Sequence, residues 1–275
     1  MTADLFTESV IDIAQQAGEA IMKVYRDDFA VHEKLDRSPL TEADLAAHSL
    51  IVAALKELAP DIPILSEESA QIPWRERKKW SRHWLVDPLD GTKEFIKRNG
   101  EFTVNIALIE GHEPVLGVVT APALARTYWA LKGRSAFLRG ADGEERKLRA
   151  KAAPRDSEPW RIVGSRSHGS PAFEEFLKIF ERVEVVTMGS SLKLCLVAEG
   201  KADLYPRFGP TSQWDTAAAH CIVEAAGGCV IDIDGGGPLR YNVVKSVLNP
   251  HFIAGGAERD FVQLLRNHVF KTPAP

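Results

Sequence analysis

The stretch WLVDPLDGTKEF, residues 84–95, places two aspartates three residues apart directly after an apolar run. The run HWLV (83–86) is typical of a buried strand, so we expect Asp87 to end that strand and Asp90 to follow a sharp turn on proline. Aspartate, proline and glycine are also the usual residues of an ordinary polar turn. The stretch alone therefore leaves two interpretations open, a surface turn or a pair of carboxylates presented to a pocket.

Composition limits the classes of protein to which the chain can belong. Its 275 residues are 45% hydrophobic and 26% charged, enough to bury a large core in one big domain or two lobes. The net charge of −4 and the lack of a long basic run argue against a nucleic-acid partner, although a small basic pocket for a phosphorylated ligand remains compatible. Cys195, Cys221 and Cys229 lack CxxC spacing and are predicted to be reduced core thiols. Neither a signal peptide nor an apolar stretch of about 18 residues is present, so we expect no membrane span.

Apolar periodicity predicts an α+β first half and an α/β second half. The predicted helices cover residues 6–26, 41–58, 170–180, 190–199, 214–226 and 258–270. The predicted strands cover 62–65, 83–86, 102–109, 115–121, 160–164, 183–188 and 229–233, with a hairpin centred on Gly133. A loop is expected at 31–40, a polar turn at 141–147 and a linker at 152–159. We expect stacked layers of helix and sheet, with an N-terminal lobe (1–150) and a C-terminal lobe (151–275).

Further acids occur where a pocket could form, and each also fits an ordinary structural role. Glu67 follows the run IPIL and could belong to a solvated loop, while Asp215 could be an acid at a helix start. Asp44 lies three residues after Thr41, which fits a capping box as well as a metal ligand, and Asp36 could be a turn acid.

Considered together, these acids point to a metal site. Carboxylates at the ends of core strands and the starts of helices are costly unless they are paired or bind cations. Oxygen ligands without a suitable histidine or cysteine favour Mg²⁺ over zinc. Two such ions a few ångströms apart form the usual clamp for hydrolysing a phosphate ester.

The order of these residues resembles the signature of the lithium-sensitive phosphatases, which include inositol monophosphatases, fructose bisphosphatases and 3′(2′),5′-bisphosphate nucleotidases. The residues that carry the resemblance are Asp44, Glu67-Glu68, Asp87 to Thr92, Trp214-Asp215 and Gly227-Gly228. A narrower resemblance to the bacterial nucleotidases rests on residues 87–109, 165–168 and 204–218. It implies a layered αβαβα sandwich of the inositol monophosphatase and fructose-1,6-bisphosphatase type.

The resemblance also implies roles for individual residues around two, or with Asp44 three, Mg²⁺ ions. Glu67, Asp87 and the Leu89 carbonyl are expected to hold one ion, and Asp90 is expected to bridge to a second ion, which Asp87 and Asp215 also bind. Thr92 and Asp36 are expected to orient and deprotonate the attacking water. The backbone amides of Gly91 and Thr92 are expected to donate to the phosphate if a helix begins there.

For the nucleotide, the resemblance implies four contacts, and a fifth residue separates the candidate substrates. Ser165, His168, Gly189 and Lys193 match positions that hold the adenosine and its phosphates, although His168 and Lys193 could instead be plain surface residues. Arg207 stands where inositol phosphatases carry an acid, and the paired N–H donors of its guanidinium suit a second phosphate. Two further departures are Ser66, where inositol phosphatases have glycine, and Gln213, where nucleotidases often have an acid.

The implied reaction converts 3′-phosphoadenosine 5′-phosphate to AMP and phosphate, as a salvage step of sulfate assimilation. The alternatives are an inositol monophosphatase, which Arg207 disfavours, and a catalytically silent nucleotide-binding regulator, which the complete set of acids disfavours. The relatives are cytoplasmic, and some attach loosely to the inner membrane. The resemblance leaves both a monomer and a homodimer open.

Overall fold

The computed structural model describes residues 3–27, 29–33, 39–155, 157–165 and 170–256. Their helices are α1 (Thr7–Arg26), α2 (Glu42–Leu58), α3 (Trp74–Arg77), α4 (Thr92–Ile96), α5 (Pro171–Leu177), α6 (Leu192–Ala198) and α7 (Gln213–Ala225), with 3₁₀ turns at Ala3–Phe6, Glu67–Ser69 and Pro122–Leu124. Their strands are β1 (Val31–Glu33), β2 (Pro39–Thr41), β3 (Ile64–Ser66), β4 (Arg82–Asp90), β5 (Thr103–Glu110), β6 (Glu113–Ala121), β7 (Arg126–Leu131), β8 (Ala136–Arg139), β9 (Glu145–Lys147), β10 (Trp160–Ser165), β11 (Val183–Met188), β12 (Leu204–Arg207), β13 (Gly228–Asp232) and β14 (Phe252–Gly256).

The first two helices follow from local sequence. The apolar stripe of α1, which includes Val10, Ala14 and Ile21, is buried against the larger sheet. At the start of α2, the Asp44 side chain accepts hydrogen bonds from the Thr41 backbone amide at 2.8 Å and the Thr41 hydroxyl at 2.6 Å. The capping box predicted from sequence is therefore formed, and it fixes Asp44 at the N-terminus of α2.

Two sheets carry the core of the described chain. The larger has the order β3-β4-β5-β6-β7-β8-β9 and the smaller β11-β10-β12-β14-β13. Helices α1 and α2 cover one face of the larger sheet, α6 and α7 lie between the two sheets, and α5 packs on the far face of the smaller one. This order of helix, sheet, helix, sheet and helix confirms the predicted αβαβα layers.

Helix α7 lies directly on the larger sheet because β6 carries a glycine at the crossing point. A Cβ atom on Gly117 would lie 2.2 Å from the carbonyl oxygen of Ala218, so no larger residue fits. This close approach places the N-terminus of α7 beside the end of β4. Since α7 belongs to the second half of the sequence but packs on the first-half sheet, the division at residue 150 stays a prediction.

The prediction for the DPLD segment was wrong in one respect. The chain does not turn away after Asp87, because β4 continues to Asp90 and remains paired with β5. Asp87 faces Asn105 and Asp90 faces Thr103, so three steps along β4 match two along β5. The extra residue forms a β-bulge, which is a common way to redirect side chains beside a functional site.

Other differences concern short elements. The predicted loop at 31–40 contributes the paired strands β1 and β2, and the predicted turn at 141–147 ends in β9. Strands β12 and β14 were not predicted, and helices α5 and α6 are shorter than expected. The helix expected at 258–270 lies outside the described residues.

Two general expectations are confirmed. The hairpin around Gly133 joins β7 to β8, and the three cysteines are unpaired, although only Cys195 and Cys221 are buried and Cys229 is half-buried. Among the described helices, none combines the length and the apolar character needed to cross a membrane.

Candidate active site and metal centre

The centre of the candidate site is a group of carboxylates from three separate segments. Glu67 begins the 3₁₀ turn after β3, Asp87 lies in the bulge of β4, and Asp215 is the third residue of α7. One oxygen from each of the three lies within 4.8 Å of the others. Asp90 and Leu89 line the same cavity, which has a volume of about 460 Å³. All five residues predicted to hold metal are therefore brought together.

The electrostatics of this group explain why it needs cations. Burial, followed by the charges of Glu67, Asp90 and Asp215, raises the pKa of Asp87 well above its ordinary value. Burial and the nearby Asp90 charge likewise raise the pKa of Asp215 well above its ordinary value. Carboxylates this close resist ionisation unless positive charge compensates them. The donor set consists of hard oxygens at a spacing that a small divalent cation can span, so it fits Mg²⁺.

Asp90 is held by residues that no sequence pattern connects with it. Burial raises its pKa, and the positive charge of Lys193 and the hydrogen bonds from Ser191 oppose that rise. The Ser191 backbone amide donates to Asp90 Oδ2 at 2.6 Å. The Ser191 hydroxyl in turn lies 2.7 Å from Asn105 Oδ1 and 2.8 Å from Thr103 Oγ1. This buried cluster joins the start of α6 to the end of β4.

Thr92 begins α4 directly after the bulge, because Gly91 adopts φ +91°, a conformation that glycine tolerates. The Thr92 hydroxyl lies 3.3 Å from Asp44 Oδ1 and 3.4 Å from the Leu89 carbonyl oxygen. Asp44, which also caps α2, is thus a partner of Thr92. Asp36, the partner expected from the resemblance, lies outside the described residues.

A second cavity, of about 150 Å³, adjoins the carboxylates and shares Asp90, Gly91 and Asp215 with the first. Its lining includes Gly189, Lys193 and Arg207, three of the residues predicted to bind nucleotide. Ser165 ends β10, but its side chain and the whole of His168 lie outside the described residues.

The three residues of this cavity that are predicted to bind the nucleotide differ in how many hydrogen bonds they already make within the protein. The Gly189 amide donates to Glu101 Oε2 at 2.8 Å, so it is not open to a ligand. The Arg207 guanidinium donates to the carbonyl oxygens of Gly209 at 3.2 Å and Pro210 at 2.8 Å, which leaves some of its five N–H groups.

Lys193 is half-buried, with Nζ 5.8 Å from the centre of the Tyr205 ring and no hydrogen bond from its ammonium group to another described residue. Burial lowers the pKa of Lys193, and the carboxylates of Asp90, Glu94 and Asp215 oppose that shift. Lys193 is therefore not a solvated helix residue, and its ammonium group is less engaged by the protein than the Arg207 guanidinium.

Ser66 and Gln213, the two positions where the sequence departs from its relatives, are both buried. The Ser66 hydroxyl lies 2.9 Å from His48 Nδ1. Gln213 is 2% exposed and hydrogen-bonds to the loop before β14, where its amide oxygen accepts from Asn242 and its amide nitrogen donates to Ser246.

Comparison with known proteins agrees with this fold. Residues 3–268 match the inositol monophosphatase family, and the chain belongs to that family. Within it, the chain is 52% identical to the 3′(2′),5′-bisphosphate nucleotidase CysQ of Salmonella typhimurium strain LT2, over 89% of this chain and 97% of the relative. It is 50% identical to the protein of the same name from Escherichia coli K12, with the same coverage.

Solved structures give the same result. The crystal structure of CysQ from Bacteroides thetaiotaomicron, described as a bacterial member of the inositol monophosphatase family, superposes with a TM-score of 0.80 at 43% identity, over 90% of this chain and 96% of that one. The extragenic suppressor protein suhB from Bartonella henselae superposes with a TM-score of 0.76 at 27% identity, over 96% and 98% of the two chains.

Proposed function

We propose that the protein is a Mg²⁺-dependent phosphomonoesterase that hydrolyses the 3′-phosphate of adenosine 3′,5′-bisphosphate to AMP and phosphate. The observation that carries this proposal is the cavity that the cations Lys193, Arg207 and Lys93 line together with Asp90 and Asp215. A substrate with two phosphates needs carboxylates that bind metal at the phosphate to be cleaved and cationic side chains at the other phosphate. The named relatives at 50% identity and above support the same activity.

We assign the metal ligands in the way that the sequence suggested. Glu67, Asp87 and the Leu89 carbonyl would hold one ion, and Asp87, Asp90 and Asp215 a second. The carboxylate spacing and the burial of Asp87 support this assignment. When bound, Mg²⁺ would stabilise charge on the phosphoryl oxygens and make a water acidic enough to react near neutral pH.

The task of orienting the attacking water falls to Thr92. With its proton directed at Asp44 Oδ1, the Thr92 oxygen can accept a hydrogen bond from a water beside the carboxylates. The Thr41 amide and hydroxyl both donate to Asp44 and fix the direction in which its carboxylate meets Thr92. In the reaction the water oxygen bonds to phosphorus and gives up a proton, the bond from phosphorus to the ribose 3′-oxygen breaks, and that oxygen takes up a proton in place of the one that the water gave up. A role for Asp36 in the same step stays a prediction.

The second phosphate is assigned to the ammonium group of Lys193, with support from the remaining N–H groups of Arg207. Inositol 1-phosphate has no second phosphate to place there. The proposed site therefore favours the nucleotide over the inositol substrate. The protein would act in the cytoplasm on a small molecule, recycling the nucleotide bisphosphate that sulfate assimilation leaves behind.

The deciding experiment is phosphate release with Mg²⁺ from adenosine 3′,5′-bisphosphate, inositol 1-phosphate and fructose 1,6-bisphosphate. We expect the nucleotide to give the highest kcat/KM, at least about 100-fold above inositol 1-phosphate, which lacks the second phosphate, the effect of about 3 kcal/mol from one charged contact. Preference for inositol 1-phosphate would establish the alternative enzyme. Tight nucleotide binding without turnover would establish the silent regulator.

A further inference from the structure

Arg77, the last residue of α3, is a buried cation without an acidic partner in the described chain. It is 3% exposed, and burial lowers its pKa. Its guanidinium donates instead to three neutral acceptors, the Ile72 carbonyl at 3.2 Å, Asn242 Oδ1 at 2.9 Å and the Lys245 carbonyl at 2.8 Å. Burying a charge in this way is costly, so a contribution to stability alone does not account for it.

The contacts continue from Arg77 to the helix that carries Asp215. Asn242, 1% exposed, donates a hydrogen bond from its side-chain Nδ2 to the Arg77 carbonyl at 2.8 Å. The backbone amide of Asn242 donates to Gln213 Oε1 at 2.9 Å. Gln213 is the first residue of α7 and lies two positions before Asp215. Each step is direct, and each side chain is buried.

The other end of this chain of contacts leads towards Glu67. Ile72, whose carbonyl accepts from Arg77, follows Glu67 by five residues, beyond the 3₁₀ turn Glu67–Ser69 and on a stretch (70–73) without regular structure. The loop at 240–247, which holds Asn242, also has no helix or strand of its own. Backbone hydrogen bonds from Tyr241 to the His112 carbonyl and from Gln213 to the Val247 carbonyl already hold the loop, and the guanidinium adds contacts from this loop to the segment that follows Glu67.

We propose that Arg77 is a positioning residue for the metal centre: through Asn242 and Gln213 it sets the spacing between Glu67 and Asp215, and so the affinity for divalent cations. The inference rests on the proposed metal assignment, because Glu67 and Asp215 come from different halves of the chain and must meet within 4.8 Å. A planar guanidinium with donors in fixed directions suits this task better than an ammonium group.

The test is direct titration of Mn²⁺ and Mg²⁺ into the metal-free full-length protein by calorimetry, at a temperature where all variants are folded. We expect Arg77→Met to raise the dissociation constant about 10-fold or more, the usual effect of losing a group that orients metal ligands. Activity should recover towards the wild-type kcat as Mg²⁺ is raised. Asn242→Gly removes the side chain but tolerates the φ of +53°, and it should raise the constant at least about 3-fold.

Arg161 provides the matched control. It too makes several hydrogen bonds, to Asp203 and the Gly200 carbonyl, but it lies in the smaller sheet and lines neither cavity of the site. Arg161→Met should lower thermal stability and leave the dissociation constant within about 2-fold of wild type, since no metal ligand is displaced.

The outcomes separate this inference from the proposed function. If Arg77→Met lowers only thermal stability, with an unchanged dissociation constant, Arg77 acts structurally and the inference is wrong. If the wild type binds Mn²⁺ but releases no phosphate from any substrate, the proposed function fails, while the affinities still decide the role of Arg77. A wild type that binds no divalent cation would overturn the inference together with the metal assignment.

Discussion

Replacing Lys193 with methionine should separate substrates with one and two phosphates. Methionine keeps most of the length of the side chain and its packing near the Tyr205 ring, but it removes the ammonium group. The substrate adenosine 3′,5′-bisphosphate would lose the partner of its 5′-phosphate. Adenosine 3′-monophosphate, which has no 5′-phosphate, would lose little.

The size of the effect follows from the surroundings of Lys193. A hydrogen bond to a charged group contributes about 1.5–3 kcal/mol, and Lys193 is only half-buried, so we expect a loss of about 2 kcal/mol. That loss corresponds to about a 30-fold drop in kcat/KM for the bisphosphate. For the monophosphate we expect a change within about 3-fold, because the remaining effect of Lys193 on the carboxylates is compensated at saturating Mg²⁺.

The assay measures kcat/KM for both nucleotides in wild type and variant at saturating Mg²⁺. Lys178→Met serves as the control for net charge, because Lys178 is exposed and pairs with Glu175 on α5, outside both cavities. Equal losses on the two substrates would refute the reasoning, since Lys193 would then act on the metal centre and not on the second phosphate. A loss confined to the bisphosphate in Arg207→Met but absent in Lys193→Met would transfer the role to Arg207.

Three further predictions concern the carboxylates and a buried histidine. Asp90→Asn should lower kcat at saturating Mg²⁺ by about 10³-fold, because the second ion loses a charged ligand, and retention of a tenth of the activity would contradict the two-ion assignment. Ser191→Ala keeps the amide bond to Asp90 but loses the hydroxyl contacts to Asn105 and Thr103, so the Mg²⁺ concentration for half-maximal activity should rise about 10-fold with little change in melting temperature. His83 is 2% exposed, neither of its ring nitrogens has a hydrogen-bond partner in the described chain, and burial lowers its pKa from 6.5 to about 4. A depressed histidine pKa stabilises the folded state fully above pH 6.5 and loses that contribution as the pH falls towards 4, so urea unfolding of the wild type should lose about 2 kcal/mol between pH 7 and pH 4.5 that His83→Leu does not lose.

The sequence predicts which residues bind metal better than it predicts which residues hold those ligands in place. Asp87, Asp90 and Asp215 could be singled out because several acids beside apolar runs are costly together unless they bind cations. Ser191 and Arg77 could not, because their partners lie 101 and 165 residues away and no local pattern marks those contacts. For Asp44 the spacing fits both a cap and a third-ion ligand. The structure has the cap and adds a contact to Thr92, and a direct or water-mediated role in metal binding stays a prediction.

The errors in the predicted secondary structure have a common physical cause. Strand β12 is four residues long and contains a proline, and β14 has the sequence FIAGG, so neither has the local propensity of a strand. They form strands because they pair with each other and with β10 and β13, which are remote in sequence. The prediction of a turn at the DPLD segment fails for the same reason, since pairing with β5 holds the segment in the sheet despite its composition.

The four aspartates around the site share one feature, a hydrogen bond from a backbone amide, which explains how so many carboxylates can lie close together. In each, a backbone amide donates to one carboxylate oxygen, and the donors are Thr41 for Asp44 (2.8 Å), Leu89 for Asp87 (3.1 Å), Ser191 for Asp90 (2.6 Å) and Ser212 for Asp215 (3.0 Å). Each amide favours the ionised carboxylate and fixes its direction without bringing a competing positive charge into the site. A cation paired directly with one of these carboxylates would compete with a metal for it. Neutral donors leave the negative charge that attracts Mg²⁺, and the proposed contacts of Arg77 likewise run through neutral amide and carbonyl groups.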